Sequence, residues 1–535
     1  VARTTNSTAT RNINSTATSS NEKDDGEKEE EKIDEPLVVL VKVGISSVSI
    51  EGAIENLRVE NPTWDFDAVR NAASEDWEAE LRKILVEGGS DEGKTVFYTS
   101  LYHTKLAPTV HSDINGAYRG PDGKVRTVAT TTPSASSSFS NYYSTFSIWD
   151  TFRAAAPLLT ILNPERVKDM MRTFLAHAEI LDGMLPFWTL AGGETKTMPG
   201  YHSAVMLTEA ANKNLLTKQE IKRAFKAMKF TAMDIERGGF LMHKYGFVPA
   251  DKKYESVTVT LELSYDDWCI AQIAEILRKP NDAAYFYNRS LGYQRVFDPK
   301  TQFMRAKFSN NTWKTPFNPR QSEHEEGDYT EGTAWQHLWF VPHDIEGLIQ
   351  QLFNGPKNFE KKLDRLFEEN SRVFGKWVSE DISGQIGQYA HGNEPSHHVA
   401  YLYNYVDAPH KTQARVRQIL NDFYRAAPDG LSGNEDCGQM SAWFVFSSLG
   451  FYPVNPAEGK YQLGSPLFDH AVIDVDGVGG QGRKKFEIKA EGAGTRGYVF
   501  VKKVRLNGKV LDRLYITHDE IMDGGVLELE MSSES

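Results

Sequence analysis

Apolar positions change their rhythm three times along the chain. After Pro36 the run "LVVLVKVGI" is apolar and β-branched, and it predicts a strand over Leu37–Ile45 that is buried on both faces. No partner strand is visible nearby, so it reads as the last strand of a sheet whose other strands precede this chain. "WDFDAVRNAASEDWEAELRKILVEG" then predicts a long helix or helix pair. Helical spacing dominates residues 95–455. Val167, Met170, Met171, Phe174 and Leu175 keep a helical period behind Asn163-Pro164, a cap followed by a first-turn proline. Thr217 and Glu220 have capping-box spacing ahead of Ile221, Phe225 and Met228. Phe359, Leu363, Leu366 and Phe367 form another stripe, as do Val416, Ile419, Leu420 and Phe423. From residue 456 onward, short alternating runs such as "HAVIDVDG", "KKFEIKAEG" and "GGVLELEM" are separated by glycine turns, and "LNGK" is a hairpin signal. This predicts a C-terminal β-domain over 456–535.

The predicted helices are of two kinds. Some have one wet face. Others are apolar almost all round, namely "YSTFSIWDTFRAAAPLLTIL", "YTEGTAWQHLWFV" and "GQMSAWFVFSSLGF", and such helices must be covered on every side. Alternating wet and dry helices suit two concentric rings, so the fold class expected is mainly α, an α/α toroid. Glu435 and Asp436 stand at the mouth of the last dry helix, where acids answer its unpaired N–H groups and match the positive end of its dipole.

Composition narrows the function. The 535 residues are 40% hydrophobic, enough for large cores; length alone suggests about two to four domains. Net charge is −13 and there is no basic stripe or nucleic-acid-reading motif, which argues against DNA or RNA as partners. No apolar run is long enough to span a membrane. Cys269 and Cys437 lie far apart and read as free thiols. Sequons at Asn6, Asn14, Asn288 and Asn310 are compatible with a secretory route. Residues 1–20 are rich in Ser, Thr and Asn, and "EKDDGEKEEEKIDE" follows, so residues 1–36 are expected to be disordered. Residues 37–94 are expected to link that segment to the helical domain.

Acids recur beside aromatics at predicted helix starts. "SIWDTFR" holds Trp149, Asp150 and Arg153; "LSYDDWC" holds Asp266, Asp267 and Trp268; "GDYTEGTAWQH" holds Asp328, Glu331, Trp335 and His337. "HGNEPSHHVAYLYNY" holds His391, Asn393, Glu394, His397 and His398, and "SGNEDCGQMSAW" holds Asn434, Glu435, Asp436 and Trp443. Aromatic faces cover the apolar side of a pyranose while carboxylates, amides and imidazoles take its hydroxyls. Adjacent His397 and His398 do not share a helix face and make a poor zinc pair. The oxygen donors Asn393, Glu394, Asn434 and Asp436 favour a hard cation such as calcium, with ligands converging from separate loops.

These stretches, with "VFYTSLYHTKLAPTV", "GGETKTMPGYHSAVM" and "YTEGTAWQHLWFVPHD", closely resemble the glycoside hydrolase family 92 α-mannosidases over about residues 37–535. The resemblance implies an (α/α)6 catalytic domain, C-terminal β-structure and an N-terminal β-sandwich of which only a remnant lies in this chain. It implies a calcium-dependent exo-acting α-mannosidase working with inversion on mannose-containing glycans. Glu331 then looks like the general acid and Asp436 like the base. The family often carries an assisting acid two residues before the base; here that position is Asn434, an amide that can orient water but cannot share a proton. Trp149, Asp150, Arg153, Glu262, His391, Glu394, His398 and Asn434 are the expected sugar-binding set. Asn393, Glu394 and Asp436 are the expected calcium set. A catalytically impaired fragment, a non-catalytic sugar-binding relative and an (α/α)6 glycosidase of other specificity stay open.

Overall fold

The first turn of a helix leaves four N–H groups unpaired, and one helix solves this as the sequence predicts. Thr217 accepts from the Glu220 N–H while Glu220 accepts from the Thr217 N–H, a complete capping box opening the helix Lys218–Thr231. The helix Pro164–Ile180 begins with its proline, but the Asn163 side chain does not cap it. That amide accepts from Lys105 and donates to Glu80 at 3.2 Å, so a tertiary ion cluster has claimed it. The computed structural model describes residues 39–128, 140–323, 326–476, 483–495 and 497–535. Residues 1–42 separate from a unit spanning 43–535, and within them residues 39–42 carry no regular element. The low-complexity and acidic stretches, with the sequons at Asn6 and Asn14, lie outside the described residues.

Wet and dry helices both occur. Ala155–Leu162 and Gln439–Leu449 are buried at every position. Pro164–Ile180, Lys218–Thr231, Pro356–Glu368 and Pro409–Asp422 keep an exposed face. The long helix Ser256–Ile276 packs against Ser203–Asn212, Lys218–Thr231 and Pro280–Ser290, while Gln439–Leu449 packs against Asp91–His103 and Ala155–Leu162.

Three expectations change. Residues 39–46 form no strand, and Val43 and Ile45 are exposed. A strand needs a neighbour for its backbone groups, and none pairs with it among the described residues. The strand that does form in this region, Ile84–Glu87, joins the C-terminal sheet instead, pairing antiparallel with His470–Asp476. In "YTEGTAWQHLWFV" only Ala334–His337 is helical; Pro342 has no N–H for the Leu338 carbonyl four residues back, so the helix cannot run on through it. "LSYDDWC" lies inside the helix Ser256–Ile276, not at its start.

The C-terminal sheet runs in the order Ile84–Glu87, His470–Asp476, Arg483–Lys489, Gly525–Ser532, Phe500–Leu506, Lys509–Val510. All its neighbours are antiparallel except Arg483–Lys489 with Gly525–Ser532. "LNGK" is a two-residue hairpin: Asn507 and Gly508 both take positive φ, at 51° and 77°, and Leu506 faces Lys509.

Asp267, expected near a sugar, is instead a structural ion. Fully buried, it takes two bonds of 2.6 Å from the Arg289 guanidinium. Burial pushes its carboxyl up to about 6 against the pull of Arg289. Removing one partner of a buried pair strands the other charge, so Asp267→Leu is expected to cost about 3–5 kcal/mol. Asp267→Leu with Arg289→Met is expected to recover much of that. Calorimetric melting of the single and double variants checks it.

Candidate active site

Four chain segments deliver the acids. Asp150 lies on the short helix Ile148–Thr151, Glu331 on the turn before Thr333, Glu394 on a 3-10 turn spanning Glu394–Ser396, and Asp436 on the loop entering Gln439–Leu449. Glu331 and Asp436 both hold left-handed backbone, with φ of 49° and 54°. Non-glycine residues pay for that conformation, and it persists only where the surrounding structure fixes it. Glu435, not Asp436, answers the helix start: its carboxylate accepts from the Gly438 N–H at 2.6 Å.

Asp150, Glu394 and Asp436 converge. Each offers a carboxylate oxygen, and these oxygens lie within 4.8 Å of one another. Asp150 and Glu394 are almost wholly buried and Asp436 half-buried. Burial first, and then the charge of Asp436, holds Asp150 well above the usual carboxylate range. Burial, Asp150 and Asp436 do the same to Glu394. Asp436 is raised by burial, with Glu394 in hydrogen-bonding reach pulling it down and Asp381 adding repulsion. Ser147 donates to Asp150, and Glu394 Oε1 has no hydrogen-bond partner among the described residues. Three crowded carboxyls with a spare oxygen are a donor set that suits a hard divalent cation.

Glu331 stands outside this trio but feels it. Burial and then Asp381 push its carboxyl up to about 8; Asn393 opposes with a donated bond of 3.3 Å, and Asp436 and Glu255 add further repulsion. The same Asn393 amide donates to the Glu331 carbonyl at 3.0 Å, and its oxygen accepts from the Glu394 N–H. Asn393 therefore braces two acids, and its oxygen is engaged locally.

Arg153 supplies the positive charge. Its guanidinium lies over the rings of Phe152, Phe340 and Trp149 at 4.6, 5.0 and 5.1 Å, and its field lowers Asp150, Glu262 and Glu394. Its Nη2 has no hydrogen-bond partner among the described residues. The Trp149 indole donates to Glu262 at 3.1 Å, and Glu262 meets His202, which also meets Asp266 at 2.9 Å. Burial alone would depress His202, but Asp266 and Glu262 raise it to about 9, so it is an imidazolium between two carboxylates.

The other expected residues are placed differently. His391 is fully buried with both ring nitrogens bonded to tyrosines, Tyr389 and Tyr424, and burial lowers it to about 3. It is a core histidine. His398 bonds to the Trp339 carbonyl and stays neutral, lowered by burial to about 4. Asn434 is exposed and donates to Asp381 at 3.4 Å. Sequence reasoning missed Asp381, His202 and Gln439. Gln439 and His202 sat inside quoted motifs; Asp381, four residues after Trp377, lies in a stretch the motif reading did not single out.

Solved structures similar to this one include a family GH92 α-mannosidase from Bacteroides thetaiotaomicron in complex with mannoimidazole. It is 39% identical with a TM-score of 0.83, over 91% of this chain and 62% of that one. An inverting family GH92 mannosidase from the same species is 32% identical with a TM-score of 0.79, over 91% of this chain and 66% of that one. A protein described as an uncharacterized secreted glycosidase, from Arthroderma benhamiae, is 25% identical over 93% of this chain and 61% of its own length. The chain thus spans roughly three fifths to two thirds of the length of these relatives. Residues 52–533 match the glycosyl hydrolase family 92 catalytic domain, and the chain belongs to that family.

Proposed function

We propose that this chain is the catalytic portion of an inverting exo-α-mannosidase that removes terminal α-mannosides from glycans with calcium assistance. The observation that carries the reading is the contrast between Glu331 and Asp436. One acid is held protonated near neutral pH, and the other belongs to a cluster whose ionised form a cation would favour. The α-mannosidase relatives, one of them inverting, support the substrate and the stereochemistry. The secretory route rests on the secreted relative and the sequons; among the described residues no helix is long and apolar enough to cross a membrane. A two-ring (α/α)6 arrangement is the fold reading that best suits the fully buried helices beside amphipathic ones.

In this reading Glu331 gives its proton to the glycosidic oxygen as the bond to the anomeric carbon breaks. Asp436 takes a proton from the water that attacks that carbon on the opposite face. Trp149 and Arg153 line the sugar's side of the site, with Glu262 fixing the indole. Asp150, Glu394 and Asp436 would hold the calcium. When bound, such a hard cation offsets the mutual repulsion of its carboxylates and can take sugar hydroxyl oxygens as further ligands.

Release of mannose from an aryl α-mannoside, with β-mannose as the first anomer seen by proton NMR, is the expected result. Release of the α-anomer first would exclude inversion. Because a general acid works only while protonated and a base only while ionised, kcat/KM should be bell-shaped, with its alkaline limb falling as pH passes about 8. Glu331→Gln should lower kcat by about 10²–10⁴-fold and abolish that alkaline limb. Treatment with a chelator should suppress turnover and calcium should restore it; full activity after chelation would remove the cation from the reading.

A further inference from the structure

Gln439 reaches three of the segments that carry the acids, without contacting any reacting group. It is the first residue of the helix Gln439–Leu449 and is fully buried. Its own N–H donates to the Asp436 carbonyl at 3.2 Å, which fastens the loop of the expected base to the helix start. Its side-chain oxygen accepts from the N–H groups of Ala154 and Ala155 at 2.9 and 3.1 Å. These open the helix Ala155–Leu162, whose cap residue Ala154 has no side chain able to answer them. The cap of that helix therefore comes from a residue 285 positions further along the chain. It anchors the turn just after Asp150 and Arg153.

The other half of the amide meets His397 Nδ1 at 3.0 Å. The hydrogens follow from the partners. His397 Nε2 lies 3.1 Å from the His391 carbonyl and so carries the ring hydrogen, which leaves Nδ1 as an acceptor. Gln439 must donate there, and its oxygen must face Ala154 and Ala155. One amide thus uses its acceptor on one segment and its donor on another. Of the side chains of this length, only the amide supplies both whatever the pH. His397 closes the turn that begins at Glu394, where its N–H donates to the Glu394 carbonyl at 3.0 Å.

We infer that Gln439 is the positioning residue of the site, a buried clamp that sets Asp150, Glu394 and Asp436 at fixed separations by tying the segments 150–155 and 394–397 to the loop of residue 436. The inference rests on the proposed function for its consequence in catalysis, but the clamp itself is a structural claim. Two variants separate its arms. Gln439→Glu keeps an acceptor for Ala154 and Ala155 and loses the donor to His397 once its carboxyl is ionised at raised pH. Gln439→Leu loses both.

Hydrogen exchange by mass spectrometry and steady-state kinetics on an aryl α-mannoside test it. In Gln439→Leu, exchange should accelerate on the order of tenfold in peptides covering 150–155 and 391–398. The C-terminal sheet should stay unchanged, and kcat should fall about 10–100-fold. In Gln439→Glu only the 391–398 peptide should loosen, and only as pH rises through the ionisation of the new carboxyl, with part of kcat retained below it. Unchanged exchange in both peptides, or acceleration spread evenly over the molecule, would overturn the clamp. So would a Gln439→Leu enzyme with parental kcat. If the parent releases no mannose, the functional reading fails, while the exchange pattern of the two variants still decides the clamp.

Discussion

The site depends on keeping like charges together away from water. Asp150, Glu394 and Asp436 share one small volume, and Glu331 lies within reach of their field. Left to themselves, such groups would part or stay protonated, since burial and mutual repulsion both disfavour the charged forms. The protein opposes this with rigid surroundings. Three of the acids are held by neighbours that are themselves buried: Asn393 donates to the Glu331 carbonyl, the Ser147 hydroxyl donates to the Asp150 carboxylate, and the Gln439 N–H donates to the Asp436 carbonyl.

Backbone conformation shows how far the arrangement is imposed. Glu331, Asp436 and Cys437 all lie in the left-handed region, at φ of 49°, 54° and 54°. Each costs on the order of 1–2 kcal/mol for a residue with a side chain. For Asp436 and Cys437 that cost is sustained by the helix Gln439–Leu449 that they enter, buried at every position and packed against Asp91–His103 and Ala155–Leu162. A charged loop at the mouth of a dry helix is therefore no contradiction. Glu435 serves the helix, and the strained residue beside it is free to serve the site.

Much of this was legible in the sequence because it rests on local rules. The capping box at Thr217, the hairpin at Asn507-Gly508 and the dry helix at 439 follow from residue type and spacing alone. The acids Asp150, Glu331, Glu394 and Asp436 were marked by their aromatic neighbours. Illegible were the cases where a distant partner decides. Asn163 gave up its cap to Lys105 and Glu80; Asp267 was claimed by Arg289; His391 was enclosed by two tyrosines. The apolar run at 39–45 failed as a strand for the same reason, since pairing is a property of two segments and pattern reports only one. Asp381 gave no signal because its influence on Glu331 and Asp436 acts through space.

The histidines sharpen the charge balance. His202 is an imidazolium, but it is already matched by Glu262 and Asp266. His337, His391, His397 and His398 are held neutral by burial. Arg153 is thus the positive side chain whose field reaches both Asp150 and Glu394. Retained protons could relieve the excess negative charge, but the proposed chemistry needs two opposite states at once. Glu331 must keep its proton and Asp436 must lose it. A cation confined to Asp150, Glu394 and Asp436 favours ionised Asp436 while leaving Glu331, outside the trio, to its own burial. On the proposed chemistry, the grouping of the carboxyls, three together and one apart, would let one site hold a base and an acid at the same pH.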